Sequence, residues 1–385
     1  MLIESTGPFA LKVTHVFALF FGILGTEASA GTGLGAPANL AAPTASIEAP
    51  ALYADTDYSE YWEQQFLFDN GTMVTSQFLI ANFPFSKRHS LMVATLKQPG
   101  EKTIIVKNGR KRSGWHFDSA APRLAIYQHE LSGTHPDYRA KLHNTAAEID
   151  LTYTASRNAV QLVSANNKLG LPEVSILAPY AVATGKWRPG PEIGGAGPEG
   201  DWKDLGRGKR YALHVLQRKN LNKVLRRWFR FTALANTENS PAGSQTKAPE
   251  AYTPILHRFE TPSGEILSVL ILLSPSEAPI RFDDIQLTTI KGQHAWRISA
   301  ATAGVEITGT LETTATVDDF ILSDHLNTLE KMVAGTIANI ARHRYAATYA
   351  LTLKQGGKQI MLQGRALAEE IILSKIKKKQ RRQRR

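Results

Sequence analysis

Lys209-Arg210-Tyr211-Ala212-Leu213-His214-Val215-Leu216-Gln217 is followed, after a short basic turn, by Leu225-Arg226-Arg227-Trp228-Phe229-Arg230-Phe231. Both segments alternate with period two. Tyr211, Leu213 and Val215 fall on one side and Ala212, His214 and Leu216 on the other; then Trp228, Arg230 and Thr232 oppose Phe229, Phe231 and Ala233. That period belongs to a strand facing two environments, and two such strands joined by a short turn read as a hairpin. Between residues 209 and 230 the chain carries Lys209, Arg210, Arg218, Lys219, Lys223, Arg226, Arg227 and Arg230 and no acid. The expectation is a basic hairpin over an apolar surface, with the polar His214 and Gln217 set among apolar neighbours.

Short strands extend in both directions from this pair. On the N-terminal side they run over 61–68, 73–81, 89–96, 103–106, 115–117, 124–129, 139–142 and 148–155. Asn70-Gly71 and Asn108-Gly109 supply tight-turn signals between them. On the C-terminal side they run over 255–260, 267–273, 285–289, 295–300, 305–311, 346–353 and 359–362. Strands at this spacing indicate antiparallel barrels or sandwiches. One helix is expected to interrupt the second series: Asp324 can cap it, and Leu329, Met332, Val333, Ile337, Ile340 and Ala341 recur at helical spacing over 326–342. The Gly- and Pro-rich segment 189–208 contains Gly195, Gly197 and Gly200 at dinucleotide-fingerprint spacing. No helix follows it, so it reads as a loop and no cofactor is implied.

A length of 385 residues suits two domains, and 43% hydrophobic residues suit packed cores. Cysteine is absent, which excludes disulfides, thiol nucleophiles and Cys-metal sites. The histidines show no ligand spacing, and no metal is expected. Most of the net charge of +11 lies at the C-terminus, where the last eleven residues hold eight basic side chains, Lys377, Lys378, Lys379, Arg381 and Arg382 among them, and no acid. Such a tail does not fold alone and attracts polyanions. At the N-terminus Lys12 and His15 precede an apolar run over 16–25 and then Ala28-Ser29-Ala30, the order of a secretory signal peptide. The divisions expected are a signal peptide (1–30), a flexible lead-in (31–52), an N-terminal domain (53–236), a linker (237–250), a C-terminal domain (251–373) and a basic tail (374–385). The protein is then exported, to a periplasm or the exterior, and drawn to membranes.

A series of motifs runs through 58–373 in order: Gly206-x-Gly208; Ala212-Leu213-His214-Val215-Leu216-Gln217; Arg227-Trp228-Phe229-Arg230-Phe231; Tyr252-Thr253-Pro254-Ile255-Leu256-His257-Arg258-Phe259-Glu260; Arg344-Tyr345-Ala346-Ala347-Thr348-Tyr349; and Leu362-Gln363-Gly364-Arg365-Ala366-Leu367-Ala368-Glu369. This series resembles the fungal survival-factor proteins of oxidative stress, grouped with AttH-like proteins and carotenoid hydratases in a superfamily of paired lipocalin-like barrels. The resemblance implies an all-β fold of two lipocalin-like antiparallel barrels in tandem, with one helix in the second, and a role in stress survival. Two departures stand out. Arg218-Lys219-Asn220-Leu221-Asn222 replaces the Gly-Met-x-Pro-His turn of survival factors, and Leu213 precedes His214 where hydratases carry an acid. The second argues against acid-catalysed alkene hydration, which needs a positioned proton donor.

The residues expected to meet a ligand are His214 and Gln217 as polar anchors, with Trp62, Trp115 and Trp228 as broad apolar faces. Arg218, Lys219, Arg226 and Arg227, with the tail, are expected to meet an anionic membrane. The main functional expectation is binding and transfer of a hydrophobic small molecule, a lipid or isoprenoid, at a membrane surface. The alternative is a terpenoid- or carotenoid-modifying enzyme (hydratase, cyclase or isomerase) using the same cavity, with an acid such as Asp201, Asp204 or Glu260 folding next to His214. Nucleic acid binding would rest on the tail alone and is not favoured.

Overall fold

The computed structural model describes residues 49–83, 86–109, 114–179, 181–194, 200–236, 252–274, 277–291, 294–321 and 338–375. Among these, thirteen strands form a first sheet: β1 (Ser59–Phe68), β2 (Met73–Phe83), β3 (Ser86–Lys97), β4 (Ile104–Gly109), β5 (Trp115–Asp118), β6 (Arg123–Ile126), β7 (His129–Thr134), β8 (Asp137–His143), β9 (Ala147–Ala155), β10 (Val160–Val163), β11 (Glu173–Ile176), β12 (Ala181–Pro189) and β13 (Lys203–Gln217). A one-turn helix, α1 (Leu221–Val224), leads to a second sheet of nine: β14 (Arg227–Asn236), β15 (Thr253–Glu260), β16 (Ile266–Leu273), β17 (Ile280–Phe282), β18 (Ile285–Thr289), β19 (Ala295–Thr302), β20 (Val305–Ile321), β21 (Ala338–Gln355) and β22 (Lys358–Lys375). Every pairing is antiparallel.

The first sheet runs β4-β3-β2-β1-β13-β12-β9-β8-β7-β6-β5, with β10 and β11 attached beside β13. It curls until its ends approach, and the Trp115 indole N–H, on β5, donates to the Arg88 carbonyl on β3 at 2.9 Å. The second runs β17-β16-β15-β14-β22-β21-β20-β19-β18 and curls likewise. The two nearly closed barrels follow one another along the chain, as the all-β expectation required.

Alternation fixes what each face meets. The inner face of the first barrel holds Trp62, Phe66 and Phe68 of β1 with Ala212 of β13. The second barrel encloses Phe229, Phe231 and Ala233 of β14. Between the barrels lies a shared core in which Tyr61, Leu67, Tyr211, Leu213 and Val215 pack with Trp228, Ile255, Phe259 and Ile271. Both faces of β1 are thus covered, and all ten of its residues are buried. Its turn to β2 is the expected Asn70-Gly71, with Gly71 at φ 84° and Thr72 N–H donating to Asn70 Oδ1 at 2.9 Å.

Four expectations need correction. The basic hairpin does not form: β13 and β14 each alternate as read, but they belong to different sheets. A strand has two edges, and those of β13 are taken by β1 on one side and β11 and β12 on the other, whereas β14 lies between β15 and β22. Asn220 caps α1 through a bond from Asn222 N–H at 3.1 Å, and this turn hands the chain from one barrel to the next. The division between sheets therefore falls between Gln217 and Arg227, and β14, expected in the N-terminal domain, lies in the second sheet.

Second, residues 338–342 are not the end of a helix but the start of β21, paired with β20 and β22; Asp324, Leu329, Met332, Val333 and Ile337 lie outside the described residues. Third, Asn108 and Gly109 do not turn the chain; they sit inside β4, opposite Met92 and Leu91. Fourth, residues 203–208 of the expected loop are strand β13, while 195–199 are outside the described residues, as are the signal-peptide segment, the 237–250 linker and the tail residues Lys377, Lys378, Lys379, Arg381 and Arg382.

Candidate active site

Inside the first barrel, β1 and β13 pair so that Trp62 lies opposite His214 and Glu60 opposite Leu216. The Glu60 carboxylate is wholly buried and His214 is 7% exposed. Glu60 Oε1 stands 2.7 Å from His214 Nε2, between residues 154 positions apart in sequence. The other oxygen, Oε2, accepts from the Tyr58 hydroxyl and from the Ala51 backbone N–H, the latter at 2.8 Å. Burial and the adjacent Glu60 charge push the Tyr58 phenol up, so it remains a donor. With two donors already on Oε2, a hydrogen held by the Glu60–His214 pair lies on the Oε1–Nε2 line. The His214 ring stacks on the Trp62 indole, centroids 5.0 Å apart and planes 19° from parallel, which fixes the imidazole against rotation. A carboxyl and an imidazole sharing one hydrogen in an apolar interior form an acid–base group, the combination that proton transfer to carbon or oxygen requires.

The acid that the sequence did not show beside His214 is therefore Glu60, rather than any of the three residues considered. Asp201 is exposed, Asp204 accepts from Gly206 N–H at 2.8 Å, and Glu260 pairs with Arg226 at 3.4 Å. A signal was present in β1 itself, where Glu60, Glu63, Gln64 and Gln65 interrupt an otherwise apolar run. Four polar residues in a strand covered on both faces need buried partners.

The remaining expected ligand residues do not gather around His214 as a single set. Trp62 does. Trp115 stands at the closure of the barrel, held by Arg88. Trp228 belongs to the seam between barrels, where its indole N–H donates to His257 Nδ1 at 3.3 Å. Since Nδ1 accepts, the His257 hydrogen is on Nε2, facing the Tyr211 hydroxyl at 3.1 Å. Burial first, and the nearby Arg230 second, push the His257 pKa well down, and the ring is neutral. Gln217 faces the α1 turn and donates to the Lys219 carbonyl. Of the basic residues expected to face a membrane, Arg218 bonds Asp55 at 3.1 Å and lies over the Tyr53 ring, Arg226 pairs with Glu260, and Arg227 pairs with Glu370; Lys219 is exposed. Three of these four basic side chains thus pair with acids from elsewhere in the chain.

The seam also holds a buried ionic group. Arg230 donates through two nitrogens to the two oxygens of Glu63, each at 2.9 Å, and also to Glu369. Arg344 bonds Glu369, Thr75 at 3.0 Å and Asp318 at 3.3 Å. Burial alone would raise the Glu369 pKa; Arg230, Arg344 and Arg342 overcome this and hold it down to about 2. Each charge of the group meets an opposite charge from another strand, with Arg230 Nε and Asp318 Oδ1 left unpartnered among the described residues, which is the pattern of a structural clasp. An open cleft of about 540 Å³ at the tips of the β19–β20 and β21–β22 hairpins has only Glu306 and Lys354 as charged groups and none of the expected ligand residues.

No protein-family model and no curated protein matches the sequence. Solved structures do share the fold. A putative AttH from Nitrosomonas europaea aligns with 86% of this chain and 99% of its own at a TM-score of 0.51 and 11% identity. CghA aligns with 83% of this chain and 89% of its own at 0.55 and 10% identity, and its complex with Sch210972 at 0.54. Kievitone hydratase from Nectria haematococca covers 86% of this chain and 96% of its own at 0.49 and 11% identity. The tandem arrangement of AttH-like proteins is thus that of this chain, as the motif series implied; the survival-factor branch is not singled out.

Proposed function

We propose that this protein is an acid–base enzyme acting on a small hydrophobic molecule inside its first barrel, in a hydration, cyclisation or isomerisation. The observation that carries the reading is the Glu60–His214 hydrogen bond, buried beside Trp62. In this scheme His214, protonated beside the Glu60 carboxylate, gives one proton to an alkene or carbonyl of the substrate, becomes neutral imidazole, and recovers a proton from the product or from water. Tyr58 and the Ala51 N–H hold the carboxylate in place, and Trp62 holds the imidazole. General acid–base transfer by such a positioned pair contributes about 10²–10⁴-fold in rate. The complex of CghA with Sch210972 supports the idea that this architecture accommodates a small organic molecule.

This reading replaces transfer of a lipid or isoprenoid as the main one, because a carrier needs no acid beside His214. The substrate class remains the isoprenoid-like apolar molecule expected from sequence. Export through the 1–30 segment, attraction of the tail to anionic lipid and a link to stress survival belong to the proposal; N-terminal sequencing of the mature protein at Gly31 tests the first. The function itself is tested by incubating the protein with isoprenoid alkenes and α,β-unsaturated carbonyls and following products by mass spectrometry. A product gaining one water, or isomeric with its substrate, supports the proposal. Saturable binding with no product across the panel returns the protein to the carrier class.

A further inference from the structure

Further along the same inner face, three buried hydrogen-bond donors have no partner among the described residues. Gln64 and Trp62 are wholly buried and Arg210 is 4% exposed. Arg210 directs Nε, at 3.0 Å, and Nη2 to Gln64 Oε1. That leaves Arg210 Nη1, Gln64 Nε2 and Trp62 Nε1 without a partner among the described residues. The guanidinium lies over the Tyr153 ring, 3.6 Å from its centroid, with Phe66 and Tyr138 each 6.0 Å away. Burial raises both phenols, to about 12 for Tyr153, so neither supplies a negative charge.

The other deeply buried arginines show what is missing. Arg230 and Arg344 each meet Glu63 and Glu369. Arg210 forms no ion pair with any described carboxylate, and burial pushes its pKa down to about 10. An unpaired buried charge is strongly unfavourable, and these free guanidinium, amide and indole N–H groups, with the unpartnered Ser76 hydroxyl opposite Gln64, are complementary to oxygens carrying negative charge.

We propose that Arg210, with Gln64, forms a carboxylate-binding subsite, and that the molecule taken into the first barrel is an amphipathic organic acid whose apolar body lies along Trp62. The carboxylate accepts from Arg210 Nη1, and the Gln64 and Trp62 N–H groups flank its path. In the β1–β13 register Arg210 lies opposite Phe66 and His214 opposite Trp62. Four residues of strand separate the two, about 13 Å at ~3.3 Å per residue. A substrate held at Arg210 therefore presents to Glu60–His214 an atom about that far from its acid group, roughly the length of an extended ten-carbon chain. That the bound acid is also a substrate rests on the proposed function; the charge preference does not.

The test uses the full protein without turnover. Laurate and dodecan-1-ol are titrated separately into the wild-type chain and into Arg210→Gln, following tryptophan fluorescence and heat. One charge-assisted hydrogen bond in a buried site predicts about 10- to 100-fold tighter binding of laurate than of the alcohol by the wild type. Arg210→Gln is expected to bring laurate to the affinity of the alcohol. Equal affinities in the wild type, no saturable laurate binding, or unchanged laurate affinity in folded Arg210→Gln would each overturn the subsite. Because the wild-type comparison needs neither catalysis nor a variant, a carboxylate preference without any proton-transfer activity would remove the acid–base reading and leave this one standing.

Discussion

Replacing Glu60 by Gln preserves the size of the side chain and the acceptor for Tyr58 and Ala51, but removes the exchangeable acid beside His214. If the pair transfers protons, Glu60→Gln and His214→Asn should each lower turnover by about 10²–10⁴-fold with little change in apparent substrate affinity. Parallel kcat and KM measurements on the first substrate identified check this. Two other histidines set the response to acid. His257 is neutral for the reason given above, and burial, followed by His143, pushes His129 down to about 3. In the unfolded chain each takes up a proton near pH ~6.5. Above that pH neither is protonated in either state and nothing is lost. Below it the unfolded state binds more protons, so stability falls by up to ~1.4 kcal/mol per pH unit for each histidine until its folded pKa is reached. Urea midpoints should therefore drop between pH 7 and 4. His129→Asn keeps an acceptor where His129 Nδ1 receives the His143 N–H and should make that drop shallower. At this scale the sequence singled out His214 but not Glu60, since the contact joins the start of one strand to the end of another 154 positions away, and no local pattern encodes such a partner.

At the scale of elements, period two revealed β13 and β14 and assigned their faces correctly, because alternation depends only on the chain itself. Which strand pairs with which depends on edges, and edges are not written locally. A basic turn between two alternating segments therefore looked like a hairpin when it is the crossing from one barrel to the other. In the same way Ile340 and Ala341 fit a helical spacing, yet eighteen residues of β21 pair with eighteen of β22, and that long ladder overrides the local pattern. The Gly206-x-Gly208 motif has separate physical reasons at its two positions. Gly206 adopts φ 77° beside the register shift with β12, and a Cβ on Gly208 would come within 2.5 Å of the Leu67 carbonyl oxygen. Gly208→Ala should force β1 and β13 apart and cost about 1–3 kcal/mol, seen as a lower Tm. Because His214 and Glu60 sit on these same strands, any activity should fall with it.

For the molecule as a whole, the clasp of Glu63, Arg230, Arg344, Glu369 and Asp318 joins β1 of the first barrel to β14, β20, β21 and β22 of the second. Removing one member leaves a buried charge without its partner. Arg230→Met is predicted to destabilise the protein by about 3–5 kcal/mol, measured by urea unfolding, and a second substitution, Glu63→Gln, should recover part of the loss. The two-barrel plan was legible from strand spacing and from the motif series, whereas the seam was not, because its polar members come from both barrels and meet only once the barrels dock. The central claim is that the first barrel transfers protons through Glu60 and His214, and solvent-isotope incorporation tests it most directly. The wild-type chain and Glu60→Gln would each be incubated in D₂O with the panel of isoprenoid alkenes and unsaturated carbonyls, and deuterium at carbon read by NMR. The account predicts incorporation by the wild type that is lost in a folded Glu60→Gln; no incorporation across the panel, or equal incorporation by both, would contradict it.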